Sequence, residues 1–142
     1  MSLSNLQKDD SLLLRVSDLD DTFTLTRNLT VGEFKSKDGA DFFFVHPGLL
    51  VAYQKIRDVV RVPLQVRSGY RSEAHNRRIN GSQNSMHLYG MAIDVSPIVE
   101  PKRKADFLKI IYDTAKSIGL GGVKLYNEKS FVHFDVGPKR EW

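Results

Sequence analysis

The most constraining stretch of this chain is the run Phe131-Val132-His133-Phe134-Asp135-Val136 near its C-terminal end. Side chains alternate along a strand, so Val132, Phe134 and Val136 share one face while Phe131, His133 and Asp135 share the other. The three apolar side chains need a core. The imidazole and the carboxylate then face elsewhere together, toward a cleft or toward solvent. A second apolar run, Met91-Ala92-Ile93-Asp94-Val95, sets a sharper condition. Asp94 lies between apolar neighbours, where an unpaired carboxylate costs several kcal/mol. It requires a cation or a good set of donors.

The chain's 142 residues are the length of one domain, and a chain of this size buries roughly two-thirds of its unfolded surface. Apolar residues make up 41% and charged residues 27%, the balance of a globular domain. There is no cysteine, which excludes disulfide frameworks, thiolate zinc fingers, iron–sulfur clusters and cysteine nucleophiles. Any metal must therefore be held by His and carboxylate. Lys and Arg number 21 against 17 Asp and Glu, a net charge of +4 compatible with an anionic polymer as partner. No recognised nucleic-acid motif accompanies that charge, and nucleic acid is not the expected partner. No apolar stretch approaches the ~18 residues of a membrane span. The opening MSLSNLQKDD has neither the basic nor the apolar region of a secretory signal.

Residues 1–11 read as a flexible N-terminus and 12–142 as a single domain. Leu12 to Val16 and Thr22 to Thr26 are expected to form a hairpin around the acidic segment 17–21. Leu49, Leu50, Tyr53, Ile56 and Val60 mark one face of a helix from Pro47 to Val60. Leu64 to Arg67 alternates like a short strand, and Ser72 caps a short helix ending near Asn80-Gly81. A polar loop over 81–85 leads into the Met91 strand. Pro101 opens another helix, with Leu108, Ile111, Ala115 and Ile118 on one face and Gly119 as its stop. Lys102, Arg103 and Lys104 oppose the positive end of that helix, which argues for a later start. Val123 to Tyr126 and Phe131 to Val136 are the last strands. The expected architecture is α+β, a small antiparallel sheet with two to three helices.

His87, Asp94 and His133 together would form a His₂–carboxylate zinc site with a fourth position open, the arrangement of catalytic rather than structural zinc. A metal so held lowers the pKa of a coordinated water to about 7 and polarises a carbonyl. On spacing alone a blander arrangement serves equally well. Asp94 would pair with Arg67, Arg71, Arg77 or Arg78, His87 would cap a loop, and His133 would be a satisfied strand histidine.

The ordered motifs Ser68-Gly69-Tyr70-Arg71-Ser72, Ser85-x-His87-x-x-Gly90-x-Ala92-x-Asp94 and Phe131-Val132-His133 resemble the zinc D-Ala-D-Ala carboxypeptidase and L-Ala-D-Glu endopeptidase family. That family acts on peptidoglycan and shares a fold group with lysostaphin-type peptidases and the hedgehog domain. The resemblance runs from about Asn28 to Trp142, opening on Leu29-Thr30-Val31-Gly32-Glu33-Phe34 and Lys37-Asp38-Gly39. Its ending is most like the murein endopeptidase and phage lysin members. The resemblance implies a D-Ala-D-Ala peptidase-like fold, peptidoglycan peptides as substrate and action on the cell wall or in the periplasm; a monomer is expected. A phage-encoded lysin suits an opening with no export signal.

Carried over by position, the resemblance implies Zn²⁺ on His87, Asp94 and His133. Arg71 is implied to hold the oxyanion or a substrate carboxylate, a task that suits a planar, permanently charged fork. Ser85 is implied to lie beside the ligand loop as a substrate contact, although a serine at that position also shapes turns. Tyr70 is an aromatic expected at the substrate, with core or rim packing its alternative. Tyr89 and Tyr126 are further aromatics that could line a cleft. His75 reads as a structural or surface histidine on the short helix and His46 as a loop residue. One departure matters. Many members of the wider group place a His two residues, or an acid three residues, before the last ligand as general base, and here those positions are Phe131 and Ser130. Asp135, on the face of His133, is the nearest candidate either to move the proton or to tune the metal, with a salt bridge to Lys139 or Arg140 as the alternative. Two functions follow: zinc-dependent hydrolysis of a stem or cross-link peptide, or a binding module that keeps the fold and the metal without hydrolysis.

Overall fold

The computed structural model describes residues 13–140. The expected flexible segment 1–11, the start of the first strand at Leu12 and the closing Trp142 lie outside the described residues. Strands β1 (Leu14–Ser17), β2 (Thr24–Thr26) and β3 (Leu29–Thr30) lead into a one-turn helix α1 (Val31–Phe34). Next come β4 (Phe42–Val45), α2 (Pro47–Val60), β5 (Leu64–Ser68) and α3 (Glu73–Arg78). A 3₁₀ turn at Met86–Tyr89 precedes β6 (Ala92–Pro97). A second 3₁₀ turn at Pro101–Arg103 runs into α4 (Lys104–Ile118), followed by β7 (Gly122–Tyr126) and β8 (Phe131–Asp135). The class is α+β, as expected. No helix among the described residues is long and apolar enough to cross a membrane.

The main sheet is four-stranded and antiparallel in the order β5-β6-β8-β7. Ile93 pairs with Phe134 and Val95 with Val132, and this apolar face is fully buried. Helices α2 and α4 pack against each other, and α4 covers β6, β7 and β8. Leu49, Ala52, Tyr53 and Ile56 of α2 and Leu108, Ile111 and Ala115 of α4 complete the core. Each apolar side chain so buried contributes roughly 1.5–3 kcal/mol against exposure. The opposite sheet face carries Asp94 and His133, paired across the β6–β8 ladder.

Local signals account for the helices. Pro47 occupies the first helical position of α2, whose predicted span is the observed one. His46, expected to be a simple loop residue, is instead its buried N-cap, with Nδ1 accepting the Gly48 N–H at 2.9 Å. Ser72 caps α3 through the His75 N–H at 3.1 Å. Helix α4 does start later than Pro101, at Lys104 after the 3₁₀ turn, although Arg103 and Lys104 still stand at its positive end, and it ends at Gly119 with φ of 82°.

The N-terminal hairpin is corrected. β1 pairs antiparallel with β4, and β2 pairs with β3 across the tight Arg27-Asn28 turn. Phe42–Val45 is an apolar run whose Phe43 and Val45 are buried, and β1 supplies the ladder partner along its edge. The Asn28 turn is itself bonded to α2, where Gln54 Nε2 donates to Asn28 Oδ1 at 2.9 Å and Gln54 Oε1 accepts the Asn28 N–H at 3.1 Å. A long-range edge therefore prevails over the local hairpin.

Candidate metal centre

Three elements converge on the polar face of the sheet. Asp94 comes from β6, His133 from β8, and His87 from the 3₁₀ turn that precedes β6. Ser85 caps that turn, its hydroxyl accepting the His87 N–H at 3.2 Å, and Gly90 closes it in the left-handed region at φ of 66°. The fit there is tight, since a Cβ on Gly90 would lie 1.8 Å from the Phe44 carbonyl oxygen.

One ligand atom from each of His87, Asp94 and His133 lies within 4.8 Å of the other two. The two imidazoles meet edge to face with centroids 5.2 Å apart. A carbonyl only accepts, so His87 Nδ1–H donates to Gly69 O at 2.7 Å and the lone pair of Nε2 is left facing Asp94 Oδ1 at 3.3 Å. His133 is held at both nitrogens, with Nδ1 at 2.8 Å from Asp94 Oδ1 and Nε2 at 2.7 Å from Asp135 Oδ2. Burial disfavours a charged His133, but the flanking carboxylates Asp135 and Asp94 outweigh it and push its pKa up to about 9. Burial likewise opposes ionisation of Asp94, yet the hydrogen bond with His133 holds its carboxyl well below the usual range. One nitrogen of each ring and one carboxylate thus point at a common spot. This donor set fits a divalent metal with N/O preference.

Arg71 borders the cluster and is the arginine Asp94 meets, through an Nη2–Oδ2 ion pair at 3.5 Å. Its other nitrogens are committed, Nε to Ser68 Oγ at 2.9 Å and Nη1 to Asn76 Oδ1 at 3.3 Å. Its backbone N–H donates to His87 O at 3.0 Å, tying the arginine to the ligand turn. Arg67 instead reaches Ser96, and Arg78 reaches Asp38. A β-bulge makes the Ser68 contact feasible. Register shifts between Val66 and Ser68, so Val66 pairs with Val95 while Ser68 pairs with Asp94.

A cleft of about 760 Å³ opens over the cluster. Arg71, Ser85, His87, Asp94 and His133 all line it, joined by Tyr126, which stacks on Phe131 with centroids 4.5 Å apart. Tyr70 does not line it. Its ring is buried beside Phe42 and Phe44, at 6.3 Å and 6.0 Å, in a separate groove that Tyr89 shares. Tyr70 and Arg71 are adjacent in sequence but serve different grooves. Asp135 also lies outside the cleft lining and is fully buried. It meets the ring of His133 at the nitrogen turned away from Asp94. Its oxygens further accept the Gly137 N–H at 3.0 Å and the Arg140 guanidinium. Glu128 is exposed in the β7–β8 turn and does not line the cleft.

One participant escaped sequence reasoning. Asn76 is buried on α3, accepting from Arg71 and donating to Ser82 O at 2.8 Å, and no local pattern announces it. Tyr126, one of the aromatics expected to line a cleft, does line it. Its pairing with Phe131 across the short β7–β8 connection is the signal that separates it, because Phe131 shares the face of His133.

Comparison with curated proteins finds no match. Among solved structures the chain is similar to the L-Ala D-Glu endopeptidase ChiX of Serratia marcescens, at 29% identity over 64% of this chain and 79% of that one, with a TM-score of 0.46. The family model for peptidase M15 matches residues 21–135. That span contains Arg71, the His87–Asp94–His133 cluster and Asp135, and the chain belongs to the peptidase M15 family.

Proposed function

We propose that this protein hydrolyses a peptide bond in the stem or cross-link peptides of bacterial peptidoglycan, with a zinc ion held by His87, Asp94 and His133. The carrying observation is the convergence of those three ligand atoms within 4.8 Å at the floor of a cleft, in a peptidase M15 chain. Bound there, zinc would supply Lewis-acid polarisation of the scissile carbonyl and a reactive water at neutral pH.

The chain's own residues supply the rest. Gly69 O fixes the tautomer of His87, and Asp135 fixes the ring of His133, leaving one acceptor nitrogen of each toward the metal. Asp135 acts as an orienting carboxylate, because it touches the far nitrogen of His133 and does not line the cleft. Arg71 is held by Ser68 and Asn76 at the cleft wall and binds the developing oxyanion or a substrate carboxylate. Arg71, Lys129 and Arg140 face the cleft against one lining carboxylate, Asp94, a balance that suits a peptide bearing free carboxylates. Ser85 borders the substrate path while shaping the His87 turn.

One observation favours a second reading, a binding module that keeps the metal without hydrolysis. Among the described residues lining the cleft, no carboxylate besides Asp94 is present to take a proton. Mass spectrometry of purified muropeptides after incubation with the zinc-loaded protein separates the two. New fragments that vanish in His87→Ala support hydrolysis, and their masses identify the bond. Unchanged muropeptides with zinc bound one per chain support the binding module. A wild-type protein that takes up no zinc refutes both.

A further inference from the structure

The turn beyond β8, over 137–140, packs closely against the segments that carry the centre. Arg140 N–H donates to Gly121 O at 2.7 Å, and Gly121 N–H donates to Asp135 O at 3.0 Å. Gly121 permits this approach, since a Cβ there would lie 1.9 Å from Gly137 O. A Cβ on Gly137 would fall 2.5 Å from Met86 Sδ and 3.0 Å from Arg140 Nη1, so the turn also abuts the segment that carries His87. Within this packing the Arg140 guanidinium meets Asp135 Oδ2, the same oxygen that meets His133 Nε2. The Asp135 side chain is wholly buried, while that of Arg140 is 31% exposed at the cleft.

We propose that Arg140 is a positioning residue for the metal centre, acting through Asp135 on the ring of His133. The proposal rests on the reading that His87, Asp94 and His133 hold zinc. A fully buried carboxylate needs charged or well-aligned donors, and Arg140 supplies the charged one. With Arg140 in place, Asp135 Oδ2 is held against Nε2, and the ring keeps its Nδ1 edge turned toward Asp94 and the cluster. Without it, Asp135 loses the partner that fixes Oδ2, and the ring loses its orientation. A planar fork suits the position, because Nη1 also donates to Pro138 O at 3.0 Å while Nη2 engages Asp135.

The test compares zinc dissociation constants of wild type, Arg140→Gln and Arg140→Lys by competition with a chromophoric chelator. Imidazole ¹⁵N NMR of the zinc-loaded proteins is recorded in parallel. Arg140→Gln is expected to weaken zinc binding about 10-fold, at the lower edge of the ~10–100-fold typical of groups behind a metal ligand. The His133 Nε2–H resonance should shift or broaden, and Arg140→Lys should fall between the two. Wild-type zinc affinity and an unmoved resonance in Arg140→Gln, with only a lower melting temperature, would overturn the proposal and leave Arg140 as an anchor of the turn. A wild-type protein that binds no zinc would overturn the metal reading itself.

Discussion

Substituting Arg71→Lys tests the centre at the residue with the most divided commitments. The guanidinium donates Nε to Ser68 Oγ at 2.9 Å and Nη1 to Asn76 Oδ1 at 3.3 Å, and its Nη2 lies 3.5 Å from Asp94 Oδ2. Lysine keeps the charge but has one nitrogen, which can serve one of these directions at a time. Attraction draws it to Asp94, leaving the buried Asn76 Oδ1 and Ser68 Oγ without that donor. Two lost hydrogen bonds at about 1 kcal/mol each give about 2 kcal/mol of destabilisation, read as several degrees in Tm. Turnover should fall further than stability implies. A donor aimed at charge that develops during reaction is worth roughly 100-fold, and an ammonium drawn onto Asp94 no longer offers it. The assay is initial rate on a defined muropeptide at saturating zinc, with zinc content measured on the same samples. A rate equal to wild type at full zinc occupancy would refute the reasoning and confine Arg71 to structure.

Three further outcomes follow from the geometry. Asp135→Asn forces a conflict. If the amide NH₂ faces His133, the ring must move its proton to Nδ1, the nitrogen needed for metal, and if the amide oxygen faces it, the NH₂ meets the Gly137 N–H; zinc affinity should drop about 10–100-fold, and unchanged affinity by chelator competition would refute the orienting role. Asp38, held by the Ser72 and Ser36 hydroxyls with a pKa pushed down to about 2, contributes stability that is present above its ordinary value near 3.8 and lost as pH falls through about 2. Asp38→Asn should remove that acid-side slope, worth about 1 kcal/mol after solvent screening, in urea melts taken between these pH values, and an unaltered slope would refute the assignment. Gly90→Ala places a methyl 1.8 Å from the Phe44 carbonyl at a left-handed φ, and should cost about 2–4 kcal/mol and weaken zinc binding through the His87 turn; native-like Tm would show that the turn can yield.

What the sequence determined by itself is what local periodicity and burial can dictate. The alternation over Phe131–Val136 separates a core face from a site face, and the isolation of Asp94 between Ile93 and Val95 demands partners, which turn out to be His87, His133 and Arg71. Helix α2 and the end of α4 were legible for the same reason, because caps, proline and glycine act within a few residues of where they stand. The tertiary structure decided whatever depended on register and on distant edges. It gave β1 to β4 rather than to β2, since the apolar edge of Phe42–Val45 lies far along the chain. It put Tyr126 rather than Tyr70 at the cleft, because one ring pairs with Phe131 and the other is drawn into the Phe42 and Phe44 cluster. It also turned Asp135 from the cleft to the back of His133, where Gly137 and Arg140 hold it. The bulge before Ser68 is the clearest case. Alternation alone would send Ser68 to the core with Val66, and a slip of one residue against β6 sets it opposite Asp94 to hold Arg71, because side-chain direction in a sheet follows register and register is a property of two strands.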